Sequence, residues 1–165
     1  IMIILAIDPG FGRCGVAVLE GSGAKATILY STCVETSAKV PFGERLLIIA
    51  NELLALIATY EPTLLAIEEL YFSNNQKTVF QVAEARGMIL YIAHSHNLRV
   101  VEYNPLTIKI ALTGYGRASK EQVTKMVEKL IVVEKTPKTD DEYDAIAVGL
   151  TAIAHERNPH FSEKK

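Results

Sequence analysis

The chain has 165 residues, 49% of them hydrophobic and 22% charged, a balance that suits one globular domain and excludes a disordered polyelectrolyte. Its 17 Lys and Arg against 19 Asp and Glu give a formal charge of −2, which excludes a uniformly basic nucleic-acid coat. No apolar run approaches the ~18 residues that a membrane span requires, and Met2–Ile7 is too short for a signal peptide. Cys14 and Cys33 are too few for a disulfide framework. The expectation is a cytoplasmic protein with reduced thiols and no membrane partner.

Met2–Ile7 is a continuous apolar run closed by Asp8-Pro9-Gly10, the pattern of a buried strand ended by turn residues. Gly15–Leu19 and Ala26–Val34 follow as strands separated by the turn Gly21-Ser22-Gly23, which predicts an antiparallel meander. From Phe42, the positions Leu46, Leu47, Ile49, Ala50, Leu53, Leu54 and Ile57 make one wide helical stripe that stops before Glu61-Pro62. Leu64–Ile67 is a short strand ended by Glu68-Glu69. A loop through Ser73-Asn74-Asn75 leads to a helix from Thr78 to His94. Arg99–Val101 is the last strand, and Glu121–Leu130 and Tyr143–Ala154 are the last helices, with His155–Lys165 as a loose end. This order predicts an α/β fold, a five-stranded mixed sheet flanked by helices, as one domain over 1–157 with a flexible tail at 158–165.

Charge is unevenly distributed. Residues 73–120 carry Lys77, Arg86, Arg99, Lys109, Arg117 and Lys120 against only Glu84 and Glu102, leaving an acidic remainder. That pattern fits a solvated face, or a middle that grips a polyanion while acids elsewhere hold cations. Asp8 and Glu68 each follow a strand directly. If those strands are parallel neighbours, both carboxylates emerge at one sheet edge, where α/β proteins place their ligands. Asp141 and Asp144 are three apart at a helix start and so share a face. Each acid also has a plain structural reading: Asp8 as a turn residue, Asp140 as a helix cap, Glu68-Glu69 as a solvated strand end. His94 and His96 are two apart, not on one helical face, and give no zinc pattern.

Asp8-Pro9-Gly10 with Gly15, Ala66-Ile67-Glu68-Glu69 and Asp141-x-x-Asp144-Ala145 resemble the RuvC family of Holliday-junction resolvases, which have a ribonuclease-H-like fold. Phe72-x-x-Asn75-x-x-Thr78, Ala85-Arg86-Gly87 and Gly114-x-Gly116 ahead of Lys120 extend the collinear match over roughly residues 2–155. The resemblance implies a structure-specific DNA endonuclease that resolves four-way junctions by paired symmetric nicks in recombination and repair. It assigns Asp8, Glu68, Asp141 and Asp144 as the catalytic, metal-binding acids and leaves Glu69 out of the ligand set. Two Mg²⁺ per site, with Mn²⁺ able to substitute, suit hydrolysis of a phosphodiester, because hard cations take carboxylate oxygens and activate water. The resemblance also implies a homodimer, and a branch-migration helicase as a partner in bacteria.

For DNA contacts, Tyr71 resembles the family's base-contacting aromatic and Lys120 a position near the cut. Lys109 and Arg117 flank Gly114-Tyr115-Gly116, and Lys77 belongs to the same basic segment. Arg86 either pairs with Glu84 or Glu102 or carries phosphate. Val79, Phe80, Val82, Ala83, Met88, Ile89, Leu90, Ile92 and Ala93 cover more than one face of their helix, which fits a subunit contact or burial within one domain. One segment departs from the family. Phe11-Gly12-Arg13-Cys14 stands where small or hydroxyl residues are commoner, and Arg13-Cys14-Gly15-Val16-Ala17-Val18 resembles the related YqgF family. A YqgF-like or hybrid-specific RNA nuclease, or an inactive binding module, is therefore the alternative expectation.

Overall fold

A computed structural model describes residues 2–22, 25–70, 76–132 and 136–157. Strands β1 (Met2–Asp8), β2 (Arg13–Ser22) and β3 (Lys25–Glu35) form the expected antiparallel meander. Helix α1 (Phe42–Tyr60) crosses to β4 (Leu64–Glu68), which lies parallel to β1. Helix α2 (Gln76–Ser95) then leads to β5 (Arg99–Tyr103), parallel to β4. Helices α3 (Pro105–Thr113) and α4 (Lys120–Leu130) precede β6 (Ile131–Val132), and α5 (Asp140–Arg157) closes the fold. The sheet order is β5-β4-β1-β2-β3-β6.

The apolar strands are buried on both faces, which is why they lack a polar alternation. Leu5, Ile7, Val16, Val18, Leu65 and Ile67 form one core with α1 and α2. Their alternate neighbours Ile4, Ala6, Ala17, Leu19, Leu64 and Ala66 form the other with α3, α4 and α5. Small residues bring α5 close to the sheet: a Cβ added at Gly149 would stand 2.4 Å from Leu19 Cδ1 and 3.0 Å from Ala6 Cβ. Residues Ala145–Ile153 are all buried, so α5 is a central helix, apolar on every side.

Three expectations are corrected. The sheet has six strands, because Ile131–Val132 adds a two-residue strand parallel to β3 at Ala26 and Thr27. So short a pairing leaves no periodicity to detect. Helix α3 is additional, and its signals are local: Asn104 Oδ1 accepts from the Thr107 amide at 2.9 Å, Pro105 opens the first turn, and Gly114 closes it at φ 73°. Gly114 is thus a helix terminator rather than a free loop residue. Helix α5 begins at Asp140 and continues through His155 to Arg157, so the start of the expected loose end is helical. Its cap is Thr139, whose Oγ1 accepts from the Glu142 amide at 3.3 Å, rather than Asp140. Residues 158–165 lie outside the described residues.

The described cysteines, buried Cys14 and half-buried Cys33, are free thiols. No helix of the described residues is long and apolar enough to cross a membrane. On the α1–α2 side, Phe80 and Tyr91 are 77% and 74% exposed, and Leu47, Ile48 and Leu54 are also exposed.

Candidate active site

Parallel pairing of β1 and β4 sets Ile7 opposite Ile67, so the next residues, Asp8 and Glu68, end their strands side by side. Helix α5 packs against β1, β2 and β4 on the opposite face and lowers its first turn onto the same edge. Gly15 makes that approach possible. A Cβ there would lie 2.1 Å from the Asp141 carbonyl oxygen and 3.2 Å from Asp8 Cβ. Glu142, itself buried, ties the turn to β3 by accepting from Ser31 Oγ at 2.7 Å.

The four acids meet, and their charges are felt. Burial, then the neighbouring Glu68, Asp144 and Asp141 charges and a hydrogen bond to Glu68, push Asp8 up to about 8. Burial also raises Glu68, opposed by the Asp8 hydrogen bond and Lys120 and reinforced by Asp144. Burial and the crowded charges thus favour the protonated form of Asp8, with Asp8 the donor and Glu68 the acceptor of their hydrogen bond. Burial raises Asp144 from its usual value despite Lys120, whose Nζ donates to Asp144 Oδ2 at 2.9 Å and sits 3.5 Å from Asp140. Asp141 goes the other way. Burial would raise it, but the Arg13 guanidinium, bonded and charged, holds it below its usual value.

Arg13 donates to Asp141 Oδ2 from Nε at 2.9 Å and Nη2 at 2.7 Å, and to Glu35 Oε1 from Nη1 at 2.6 Å. With each α5 aspartate turned toward a cation, no three His, Cys, Asp or Glu side chains among the described residues form a closed metal cage. The donor set still fits a divalent metal. It is all carboxylate oxygen, and its buried members are destabilised by one another, the condition a hard cation relieves.

A cleft of about 280 Å³ opens beside the acids, with Glu68, Asp144, Lys109 and Lys120 on its wall. Lys109 is shared with an adjoining cleft of about 520 Å³ that Glu69 and Gly116 also line. Of the expected DNA contacts, the structure therefore brings Lys109 and Lys120 to the acids. Arg86 instead forms an ion pair with Glu102, and its side chain is 15% exposed with a buried Nε that has no partner. Arg117 is exposed between α3 and α4. Lys77 stands in the first turn of α2 with its side chain outside the description, and Tyr71 lies outside the described residues. Gly15 belongs to the family motif around Asp8, whereas Arg13 and Glu35 join the site without being marked as site residues by the sequence. The cross-strand pairing of Arg13 with Glu35 was the available signal.

The model of the family described as crossover junction endodeoxyribonuclease RuvC matches residues 4–155. The chain belongs to the RuvC family. Among similar relatives are the RuvC proteins of Petrotoga mobilis, 45% identical over 93% of each chain, and of Caldicellulosiruptor saccharolyticus, 39% identical over 98% of each. Thermus thermophilus RuvC superposes with a TM-score of 0.86 at 33% identity, covering 94% of this chain and 96% of that one. The same Thermus protein in complex with a Holliday junction substrate superposes at 0.89 with 32% identity, covering 95% and 96%. Membership in RuvC, together with the retained acids at one sheet edge, selects the resolvase expectation over the YqgF-like one.

Proposed function

We propose that this RuvC-family chain is a crossover junction endodeoxyribonuclease that nicks four-way DNA junctions in symmetric pairs. The observation that carries the reading is the meeting of Asp8, Glu68, Asp141 and Asp144 at the ends of β1 and β4 and the first turn of α5. Bound by these four carboxylates, two Mg²⁺ ions, replaceable by Mn²⁺, would supply an activated water and charge stabilisation at the leaving oxygen. Asp8 would have to release its proton to solvent for all four carboxylates to serve as full ligands. Lys109 and Lys120, on the wall of the adjacent cleft, neutralise the phosphates of the strand to be cut. Arg117 extends this positive surface, and Tyr71 stacks on a base at the opened centre. The exposed apolar residues of α1 and α2 support a two-fold homodimer, which offers two identical sites to opposed strands.

Cleavage of a four-way junction, a linear duplex, an RNA–DNA hybrid and single-stranded RNA tests the reading. Paired nicks in the junction alone are expected. Equal cutting of linear duplex would overturn junction specificity, and isolated single nicks would overturn the paired sites.

The cleft lysine and the aromatic should respond differently to salt. Lys120→Ala should weaken junction binding and lower the logarithmic salt slope by about 0.9, the contribution of one neutralised phosphate. Tyr71→Ala should lose roughly 1–3 kcal/mol of stacking with the slope unchanged, and an unpaired junction centre should restore part of its cutting rate. Binding isotherms at several salt concentrations, with cutting rates on paired and unpaired junctions, check both roles.

A further inference from the structure

Among the described residues, Arg13 is the one cation bonded to Asp141, and it reaches it from β2 with two N–H groups on a single oxygen, Oδ2. Its third contact goes to Glu35, the residue opposite it across the β2–β3 ladder. The Arg13 and Glu35 side chains are 51% and 61% exposed, so this pair stands at the rim of the site rather than in the core. Asp8 and Glu68 have no bonded cation among the described residues, whereas Asp144 accepts from the Lys120 ammonium at 2.9 Å. The site is thus divided: Asp8 and Glu68 gain from an added cation, while Asp144 is paired with an ammonium and Asp141 with a guanidinium that grips it through two N–H groups.

Resting on the metal-dependent reading above, we propose that Arg13 is a positioning residue that holds Asp141 in competition with metal, so that the site loads its cations unequally. The first cation is taken by the unmatched acids. A second must draw Asp141 away from Arg13. Glu35 makes that exchange possible, because the guanidinium keeps a carboxylate partner when it releases Asp141. The two carboxylates therefore share one guanidinium through different nitrogens, and removing Glu35 or Arg13 should shift the hold on Asp141 in opposite directions.

The test is a Mn²⁺ titration of the metal-free full chain without DNA, read by electron paramagnetic resonance of the free ion. The wild type should show a tighter and a weaker class of site. Arg13→Gln should tighten the weaker class by roughly fivefold, the scale of an exposed ion pair, and leave the tighter class unmoved. Arg13→Lys should lie between the two. Glu35→Gln should weaken the same class, because Arg13 then has only Asp141 to hold. Affinities that stay fixed in all three variants, or that move together in both classes, would overturn the role of Arg13. If the wild type shows no Mn²⁺ binding that Asp8→Asn removes, the metal reading itself falls, and this proposal with it.

Discussion

Asp8→Asn should abolish junction cutting by about a hundredfold or more while junction binding persists, because the amide keeps the shape of the side chain and loses the charge that holds metal. Glu68→Gln, Asp141→Asn and Asp144→Asn should do the same. The metal-free stability of the Asp8 variant should rise. Asp8 is pushed up to about 8 by burial and by the Glu68, Asp144 and Asp141 charges, so ionising it in the folded protein is unfavourable.

The pH dependence follows in sign. Between the unfolded value near 4 and about 8, the folded protein binds the Asp8 proton and the unfolded chain does not. Metal-free stability therefore falls as pH rises through that window, and Glu68 and Asp144, also raised, add to the fall. Asp141 is lowered and opposes it only at acid pH. Melting curves from pH 5 to 8 should show a downward slope that Asp8→Asn reduces and saturating Mg²⁺ flattens. A wild-type melting temperature that climbs over this range would contradict the buried proton, and loss of folding in all four amide variants would point to a scaffolding role for the acids.

Gly15→Ala should be nearly as damaging to cutting, although the change adds one methyl and touches no charge. Its Cβ would lie 2.1 Å from the Asp141 carbonyl oxygen, a backbone atom that can yield only if the first turn of α5 moves. A shift of about 1 Å at a reacting centre costs on the order of a hundredfold in rate, and overpacking of this kind costs about 1–3 kcal/mol in stability. Both α5 aspartates travel with that turn, so Mn²⁺ affinity should fall along with the rate. Gly43 in α1 is the control, since a Cβ there meets nothing within 4 Å. Gly43→Ala should leave cutting unchanged and gain up to about 1 kcal/mol from helix propensity. Wild-type rates in Gly15→Ala would show that α5 is free to adjust and that Asp141 is not held from below.

The amino-acid sequence by itself determined the elements whose signal is local and repeated. Unbroken apolar runs marked β1 and β4, the stripe from Leu46 to Ile57 marked α1, and turn residues marked the ends of the strands. The acids were legible for the same reason. Asp8 and Glu68 interrupt apolar runs, and the spacing of Asp141 and Asp144 matches one face of a helical turn. Helix α3 was also written locally, in Asn104-Pro105 and Gly114, but its nine residues show too little periodicity beside those caps. Two residues of β6 carry no pattern at all, since its pairing with β3 depends on where α4 ends.

Only the tertiary structure decided which charges neutralise which. Arg86 could serve phosphate or an acid until β5 set Glu102 beside it. Arg13 differed from its family but had no evident partner, because Asp141 is 128 positions away and is brought near by the seating of α5 on Gly15. Likewise, proximity of Asp8 to Glu68 depends on the parallel pairing of two strands separated by α1. The raised Asp8 and the Arg13 bonds to Asp141, at 2.9 and 2.7 Å, arise only once these segments are brought together, and burial strengthens what Asp8 feels from its neighbours. Residue order records which groups are available, whereas their separation and dielectric surroundings exist only after the sheet has paired and α5 has packed against it.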